Sequence, residues 1–462
     1  MSPLAKMPRA GAGARGRGDR WRLAVELLCY DALLLMVSPL VAIWLSWRWL
    51  VRRKPLGCWR HRLGLVPRLG AVVARSEGGA REKRPLVIWV HAVSAGEVAA
   101  ARPVVEALRA AFPSARIGMS TITAAGMTVA KKSCRGVDAF FYLPLDGLFC
   151  MARAFTRIRP QLIVVTEKEL WPNFLGLARL LGTRILVVNG RVSDRTISRA
   201  KWAPGFVRWL YRLPDLICVQ SSQDASRLAA LSVPPSRVLI GGNTKVDSMV
   251  NRDPVAEAEL RRDLGVANGE PWLVAGSTHA GEEEVVVEAF RLVRARMPNV
   301  RLLLAPRHLE RVPAVSALVA EQGFSAVRRT DNPSLSEAVV ILDTMGELRA
   351  SYAFATVGFV GGSLVPVGGH SLLEPTAAGR AVLFGPHTEN CADVADLVLA
   401  SHVGFRVTDA RELAEQFLRI AGDQELQAGI ARTASSLIAQ QRGAAARCIG
   451  AAQRLLTPES PQ

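Results

Sequence analysis

Several signatures that would assign a function directly are absent from this 462-residue sequence. It has no G-x-x-x-x-G-K-[ST] run, which argues against a P-loop NTPase, and no G-x-S-x-G elbow, which argues against an α/β-hydrolase. Its seven histidines lack the spacing of metal ligands, so a metal-free mechanism is favoured. Its seven cysteines include no C-x-x-C pair, and the odd number predicts reduced thiols in a cytosolic domain, not a disulfide framework or a zinc site.

Positive charge is concentrated at the front of the chain. The first 90 residues carry 17 Lys/Arg and five Asp/Glu, and the formal net charge of the whole chain is +18. A basic front end favours an anionic membrane surface or an anionic lipid as partner. We do not expect nucleic acid as a partner, because the remainder has no arginine-rich helix and no interleaving of aromatic and basic residues.

The chain has no long uninterrupted apolar run, but residues 23–51 come near to one. The clean part, Ala32–Trp47, has 16 uncharged residues, and spanning a bilayer takes about 20. Trp44, Trp47 and Trp49 cluster at its end, as interfacial aromatics do. We predict a membrane-anchor helix that either spans the bilayer or lies in the interface; a cleaved signal peptide is the other reading. A basic tail (1–22) precedes the anchor, and a basic linker (52–84) follows it.

From residue 85 onward, short apolar runs alternate with helical stretches, which predicts βαβ units, parallel sheets and an α/β fold. The openings LVIWVHAVSAGE and WLVAGSTHAGE echo each other, so we predict two Rossmann-like domains, 85–250 and 251–462, with a central cleft. The predicted strands are Leu86–Val90, Arg116–Ser120, Leu162–Thr166, Arg184–Asn189, Leu216–Gln220, Trp272–Gly276, Val300–Ala305, Val339–Leu342, Thr356–Val360 and Ala381–Phe384.

Two motifs of the first half place charged groups after predicted strands. Glu97 ends the run HAVSAGE, where it could act as a general base or complete a capping box with Ser94. His91 in the same run also fits a buried structural histidine. Glu167 follows another strand, and Lys245 follows a Gly-Gly turn from which it could reach an anionic group. A solvated loop and an ordinary turn are the alternatives for these two.

The second half carries a basic loop, an acidic turn and two glycine pairs, each after a strand. Arg307 and Arg311 suit carboxylate or phosphate. The pairs Gly361-Gly362 and Gly368-Gly369 could bring backbone N–H groups to a phosphate, and Glu374 could accept hydrogen bonds from ribose hydroxyls. Together they favour a nucleotide site, with tight turns as the alternative.

Taken in order, these segments resemble the Kdo (3-deoxy-D-manno-octulosonic acid) transferase family. The residues that carry the resemblance are HAVSAGE (91–97), YLPLD (142–146), EKELWPN (167–173), NGRVSDRT (189–196), QSSQDASR (220–227), GGNTKVD (241–247), STHAGEE (277–283), PRHLER (306–311), DTMGEL (343–348), GGS (361–363), GGHSLLEP (368–375) and GPHTEN (385–390). Ser371 departs from the family pattern, which usually has Asn there.

The resemblance implies a GT-B fold and a glycosyltransferase that transfers Kdo from CMP-Kdo to a lipid A precursor (lipid IV-A) in lipopolysaccharide biosynthesis. The reaction would be inverting and metal-independent, with no cofactor. Glu97 would be the general base, and Glu167 and Lys245 would stabilise the transition state. The residues matching the CMP-contacting segments are Pro306, Arg307, Met345, Gly346, Glu347, Ser371, Leu372, Leu373 and Glu374.

The resemblance and the basic front end together predict a location at the bacterial inner membrane, with the catalytic domains on the cytoplasmic face and membrane lipids as partners. Two other functions stay open on the sequence. One is another GT-B enzyme, such as a nucleotide-sugar epimerase, which needs no lipid acceptor. The other is a non-catalytic lipid-binding or nucleic-acid-binding membrane protein on the same scaffold, for which Glu97 would have no chemical role.

Overall fold

The structure, a computed structural model, describes residues 17–52, 58–70, 85–192, 194–250, 253–331 and 337–456. The chain divides into two compact units. The first comprises Met1–Ser248 and Gly443–Gln462, and the second comprises Met249–Arg442. Each unit is built on a parallel sheet of seven strands within the described residues, so the predicted α/β class with two parallel sheets is confirmed. The predicted central cleft stays a prediction.

The first sheet has the strand order β3-β2-β1-β4-β5-β6-β7. Its strands are β1 Val87–His91, β2 Arg116–Thr121, β3 Ala139–Tyr142, β4 Leu162–Thr166, β5 Arg184–Gly190, β6 Leu216–Val219 and β7 Val238–Ile240. The helices between residues 17 and 250 are α1 Arg17–Arg52, α2 Trp59–Arg62, α3 Ala95–Ala111, α4 Ala124–Ser133, α5 Leu148–Ile158, α6 Pro172–Leu180, α7 Asp194–Trp202, α8 Pro204–Tyr211, α9 Ser222–Ala230 and α10 Thr244–Val250.

The second sheet has the order β10-β11-β9-β8-β12-β13-β14. Its strands are β8 Trp272–Thr278, β9 Arg301–Pro306, β10 Ala326–Arg328, β11 Val339–Ile341, β12 Val357–Val360, β13 Ala381–Phe384 and β14 Gly404–Arg406. Its helices are α11 Pro254–Asp263, α12 Glu283–Arg296, α13 Val312–Glu321, α14 Leu348–Ser351, α15 Leu373–Ala377, α16 Ala392–Ala400, α17 Ala410–Ala421 and α18 Gln424–Gln441.

In each sheet the chain leaves a central strand toward one side and later returns on its other side. This reversal falls between β1 and β4 in the first unit and between β8 and β12 in the second. In open parallel sheets, ligands bind beyond the carboxyl ends of the strands at such a reversal. The sheet order therefore points to one candidate ligand position in each unit.

All ten predicted strands are present, with ends that differ by at most two residues. The four strands that the sequence did not predict, β3, β7, β10 and β14, are the four edge strands. They have three or four residues and are incompletely buried. An edge strand is covered on fewer sides, so its sequence lacks the continuous apolar run that identified the interior strands.

The last helix, α19 (Ala444–Leu456), packs in the first unit, whereas the prediction assigned everything after residue 250 to the second. Its apolar face, which includes Cys448 and Ile449, is buried in the first unit's core. The Asp247 carboxylate accepts the backbone N–H groups of Gly443 and Ala445, both at 2.7 Å. This contact satisfies donors at the start of α19, and a local sequence pattern could not reveal it because its partners are about 200 residues apart.

Part of the predicted linker 52–84 is also integral to the first unit. Val66 and Leu69 are buried in its core, and Arg62 donates to the carbonyl oxygens of Leu143 (2.9 Å) and Ile122 (2.7 Å). Residues 53–57 and 71–84 of the predicted linker, and residues 1–16 of the predicted basic tail, lie outside the described residues.

Helix α1 begins at Arg17 and covers the whole predicted anchor. Leu23 and Leu27 are buried in the first unit, and a Cβ on Gly176 of α6 would lie 2.4 Å from Leu27. The absence of a side chain at Gly176 therefore allows α6 to pack closely against α1. Within the described residues, no helix is both long enough and apolar enough for a bilayer crossing, so the membrane anchor is not confirmed.

A polar contact also holds α1 on the first unit. The Asp31 carboxylate accepts the backbone N–H of Leu148, at the start of α5, at 2.9 Å and the amide of Asn173 at 3.1 Å. Asp146 accepts the backbone N–H groups of Asn173 and Phe174 at the start of α6. Carboxylates at helix starts are favourable because the first N–H groups have no partner within the helix.

We predict that Asp31→Ala lowers the free energy of unfolding by about 2 kcal/mol, because two donors lose a charged acceptor. Urea denaturation followed by tryptophan fluorescence measures the change. Glu106→Ala, which removes a carboxylate that is 57% exposed on α3, is the matched control and should change the value by less than about 0.5 kcal/mol. Equal effects of the two substitutions would contradict the docking role of Asp31.

Candidate active site

Glu97 lies at the third position of α3, directly beyond the carboxyl end of β1. Its Oε2 accepts the backbone N–H of Val93 at 2.8 Å, and the Ser94 hydroxyl donates to Oε1 at 3.3 Å. Ser94 is the N-cap residue, but its side chain makes no capping hydrogen bond to the backbone. The capping-box alternative therefore does not hold in its usual form, since Glu97 bonds the N–H of Val93 instead of Ser94.

Burial raises the pKa of Glu97 to about 7. The neighbouring carboxylates of Glu169 and Glu167 contribute to this rise, while the hydrogen bonds from Val93 and Ser94 act in the opposite direction. A carboxylate whose pKa lies near neutrality is suited to accept a proton from a hydroxyl group, because it is a stronger base than an exposed glutamate and is still ionised to a useful extent.

His91 is fully buried, and its Nδ1 lies 2.9 Å from the hydroxyl of Ser120. Burial lowers its pKa to about 3, so the ring is neutral at physiological pH. Its Nε2 has no hydrogen-bond partner within the described part of the chain. These features favour the structural reading of His91 over a role in proton transfer.

Glu167 and Lys245, which are 78 positions apart, form an ion pair in the first unit. The Nζ of Lys245 lies 2.8 Å from Oε1 of Glu167. Glu167 directly follows β4, next to β1, so it lies at the same strand reversal as Glu97. In this structure the anionic group that Lys245 contacts is the Glu167 carboxylate, and its role toward a ligand stays a prediction.

Asn189 organises this pair, and the sequence did not single it out as a site residue. Its side chain accepts the backbone N–H of Thr244 at 3.0 Å and donates to Glu167 at 3.4 Å. Both Asn189 (φ 55°) and Glu167 (φ 60°) have left-handed backbones. Asparagine adopts this conformation readily, but it is uncommon for glutamate, and such backbones concentrate at functional sites. The feature of the sequence that could have pointed to Asn189 is its position before a glycine at the end of a predicted strand.

The second unit presents the predicted nucleotide residues after three of its strands. Pro306 and Arg307 lie at the end of β9, Met345 to Glu347 follow β11, and Ser371 to Glu374 follow β12. Because all strands are parallel, these segments lie along the same edge of the sheet. Arg307 and Met345 are exposed there, and Gly346 has a φ of 99°, which a residue with a side chain rarely adopts.

One predicted phosphate contact is wrong. The backbone N–H groups after Gly361 bind a protein carboxylate, that of Glu282, which is fully buried. Glu282 accepts hydrogen bonds from Gly362 (2.7 Å), Ser363 (2.9 Å), Leu364 (2.8 Å) and His279 (3.0 Å). These donors are therefore not available to a nucleotide phosphate.

Arg311 is likewise committed to the protein, since its guanidinium pairs with the buried carboxylate of Glu283 at 3.0 Å. Glu347 is also engaged, by the hydroxyl of Thr344 and by Arg329 at 3.4 Å. Glu374 differs from these groups because no described residue donates a hydrogen bond to its carboxylate. Burial raises the pKa of Glu374, while Arg349 and Arg307 lower it. The oxygens of Glu374 therefore accept no hydrogen bond from the described residues.

Three histidines, from the segments after β8, β9 and β12, cluster beside these residues. Nε2 of His279 lies 2.8 Å from Nε2 of His370, and the two rings are parallel within 4°. The ring of His308 lies 5.6 Å from that of His279. Burial, Arg307 and the other histidines lower the pKa of His370 to about 4. The pair is therefore neutral, with one ring donating to the other.

Among the described residues, no group of three or more His, Cys, Asp or Glu side chains is arranged to hold a metal ion. The seven cysteines are all free thiols.

Comparison with known proteins identifies the family. A family model described as 3-deoxy-D-manno-octulosonic-acid transferase (kdotransferase) matches residues 58–248. The 3-deoxy-D-manno-octulosonic acid transferase of Haemophilus influenzae is 31% identical over 423 residues, covering 91% of this chain and 96% of the relative. That of Bordetella pertussis is 30% identical, covering 91% of this chain and 97% of the relative. The chain belongs to the 3-deoxy-D-manno-octulosonic acid transferase family.

This Kdo transferase is therefore an enzyme and a glycosyltransferase. A crystal structure of UDP-N-acetylglucosamine 2-epimerase resembles it with a TM-score of 0.59, 12% identity and coverage of 82% of this chain and 99% of that one. At that identity the likeness concerns the fold alone. The fold alone is compatible with both a transferase and an epimerase. The sequence identity to the transferases over most of the chain distinguishes between these two interpretations.

We predict that Glu282→Gln lowers the free energy of local opening of the loop from Gly361 to Leu364 by about 2 kcal/mol. An amide oxygen is a weaker acceptor than a carboxylate, and the amide NH₂ group would face backbone N–H groups, which are donors themselves. Hydrogen exchange of the Gly362, Ser363 and Leu364 amides should accelerate about 30-fold. The neighbouring Glu284, an exposed carboxylate that accepts one N–H, from Gly281, provides the matched control Glu284→Gln. Unchanged exchange in Glu282→Gln would refute the assignment.

Proposed function

We propose that the enzyme transfers Kdo from CMP-Kdo to a hydroxyl group of a lipid A precursor, lipid IV-A, in lipopolysaccharide biosynthesis. The observation that carries this proposal is the position of Glu97 beyond the carboxyl end of β1, near the Glu167–Lys245 ion pair, where burial also raises its pKa to about 7. It supports a direct displacement in which a general base activates the acceptor hydroxyl. Homologues named Kdo transferases support the sugar that is transferred.

In this proposal, Glu97 takes the proton of the acceptor hydroxyl while the oxygen of that hydroxyl forms a bond to the anomeric carbon of Kdo. The bond from that carbon to the phosphate oxygen breaks, and CMP leaves with the electron pair. Attack on the face opposite the leaving group inverts the anomeric centre. Lys245, held by Glu167 at 2.8 Å, supplies a positive charge for the Kdo carboxylate or the departing phosphate.

The second unit supplies the contacts that we propose for the nucleotide. The exposed Arg307 can neutralise phosphate charge, and the Glu374 carboxylate, without a protein donor among the described residues, can accept ribose hydroxyls. Two cationic side chains, Arg307 and Lys245, are consistent with a mechanism that needs no metal ion. Met345, Gly346, Glu347 and Ser371 to Leu373 complete the proposed CMP site.

We also propose a GT-B glycosyltransferase at the cytoplasmic face of the bacterial inner membrane. The basic front end of the sequence supports this location, as do the exposed Leu33, Leu35 and Met36 of α1. The free cysteines fit a reducing compartment.

We predict that Glu97→Gln lowers the transfer rate by about 10³-fold, because the amide cannot accept the proton. CMP release from CMP-Kdo with lipid IV-A measures the rate. The wild-type rate should fall about tenfold for each pH unit below about 7, since a raised pKa means that the base is lost as pH falls through that value. Glu106→Gln, a half-exposed position on the same helix, is the control.

Folding of the variant can be checked independently. Because the folded-state pKa of Glu97 exceeds its unfolded value, ionisation between pH 5 and 7 lowers wild-type stability, and the variant should lose less stability over that range. If folded Glu97→Gln retains wild-type activity, Glu97 is not the base. If wild type releases CMP only when lipid IV-A is present, the epimerase alternative is excluded.

We predict that Glu374→Gln raises the KM for CMP-Kdo about tenfold with little change in kcat, since one hydrogen bond to a ribose hydroxyl is lost in both ground and transition states. Calorimetric titration with CMP should show the same loss of affinity. Glu425→Gln, an exposed position on α18, removes the same charge elsewhere in the second unit. Equal CMP affinity of both variants would exclude Glu374 from the nucleotide site.

A further inference from the structure

The first unit contains a cavity of about 560 Å³ that the transfer reaction does not use. It is bounded by the start of α1, the end of α6 and helix α8 with the residues after it. Six arginines line it, against two acidic residues, Asp19 and Glu26. The arginines are Arg20, Arg22, Arg179, Arg208, Arg212 and Arg237.

The cavity lies at the amino ends of the strands, at the opposite edge from Glu97 and Glu167. Arg179 pairs with Asp215, which directly precedes β6 and accepts the backbone N–H of Ile185 in β5 at 2.9 Å. Arg237 directly precedes β7. A strand rise of about 3.3 Å per residue separates the two edges by roughly 17 Å along β5. This cavity is therefore distinct from the candidate active site.

Much of the positive charge in the cavity is not neutralised by the residues that the structure describes. No described residue forms a hydrogen bond or ion pair with the guanidinium of Arg208 or Arg212. Glu26 is already engaged by the indole of Trp209 at 2.7 Å and by Arg22 at 3.5 Å. An anion in the cavity would relieve the repulsion among these cations.

One buried nitrogen of an arginine that lines the cavity also lacks a partner among the described residues. The side chain of Arg179 is only 7% exposed, and its Nε has no hydrogen-bond partner within the described residues. A buried donor without an acceptor is unfavourable by about 1–3 kcal/mol. Burial and the nearby Arg179 also lower the pKa of Arg237. Arginine forks of this kind match the oxygens of a phosphate group.

Exposed aromatic side chains occur in α1 and α8, which bound the cavity, and at the end of α7. Trp21 of α1 is 74% exposed, Trp202 before α8 is 90% exposed, and Phe206 of α8 is 45% exposed. The ring of Phe206 stacks on Trp209, which lines the cavity, with centroids 5.6 Å apart. Tryptophan and arginine together at a surface are typical of proteins that contact the headgroup region of a bilayer.

We propose that this arginine cavity binds the headgroup phosphate of an anionic phospholipid, with Trp21, Trp202 and Phe206 contacting the bilayer interface around it. Its volume is sufficient for a headgroup such as phosphoglycerol. The site would hold the first unit on the membrane through an edge of the sheet remote from the reaction, and it does not depend on the identity of the donor or the acceptor.

The test compares the full-length wild type with Arg208→Gln/Arg212→Gln. The control Arg153→Gln/Arg432→Gln removes the same charge at two exposed arginines outside the cavity. Flotation with phosphatidylcholine vesicles, with and without 30% phosphatidylglycerol, gives the ratio of the two partition coefficients for each protein. This ratio cancels any binding through apolar segments, which does not depend on lipid charge. A third arm adds sn-glycerol 1-phosphate as a soluble competitor.

We expect the ratio to fall about 30-fold in the cavity variant and to remain near the wild-type value in the control. We also expect the competitor to lower the wild-type ratio and to leave the residual ratio of the cavity variant unchanged. An equal fall in both variants, or no fall in either, would overturn the proposal. Binding of the soluble phosphate without any preference for anionic vesicles would overturn the assignment to a lipid.

CMP release from CMP-Kdo with detergent-dispersed lipid IV-A keeps this proposal separate from the proposed function. The cavity variant should retain wild-type transfer under those conditions, because Arg208 and Arg212 take no part in the site at the carboxyl ends. A wild type that transfers no Kdo but shows the lipid preference would refute only the proposed function.

Discussion

Side-chain oxygens that accept backbone N–H groups where strands give way to helices hold much of this structure together. Glu97 takes the N–H of Val93, Asn189 that of Thr244, and Glu282 takes four such groups in the second unit. Asp31 and Asp247 do the same for α5 and α19. Buried N–H groups need acceptors, so each of these contacts fixes a loop or a helix start in one position.

The same chemistry gives different roles to two equivalent glutamates. Glu97 and Glu282 occupy matching positions in the echoed segments VSAGE and THAGE. Glu282 is fully buried with four backbone donors and serves as an internal anion for the glycine loop. Glu97 has one backbone donor, carboxylate neighbours and a pKa of about 7, so it remains able to take a proton. The number of donors around each carboxylate separates the structural group from the reactive one.

In the second unit a similar distinction selects the residues left for a nucleotide. Arg311 and Glu283 neutralise each other, whereas the Glu374 carboxylate has no donor among the described residues. The paired histidines His279 and His370 were visible in the sequence only as members of separate motifs. Their contact depends on β8 and β12 being neighbours, although 91 positions separate the two rings.

The sequence by itself determined the interior strands, the two-unit α/β plan, the family, and the placement of Glu97, Glu167 and Lys245 after strands. These features follow from local apolar runs and from motifs that survive as contiguous letters. Tertiary structure decided the four edge strands, the return of α19 to the first unit, the packing of residues 58–70, and which carboxylates are satisfied. Those outcomes depend on donors and apolar surfaces contributed by residues distant in the chain, such as the loop about 80 positions from Glu282, and no local pattern records them.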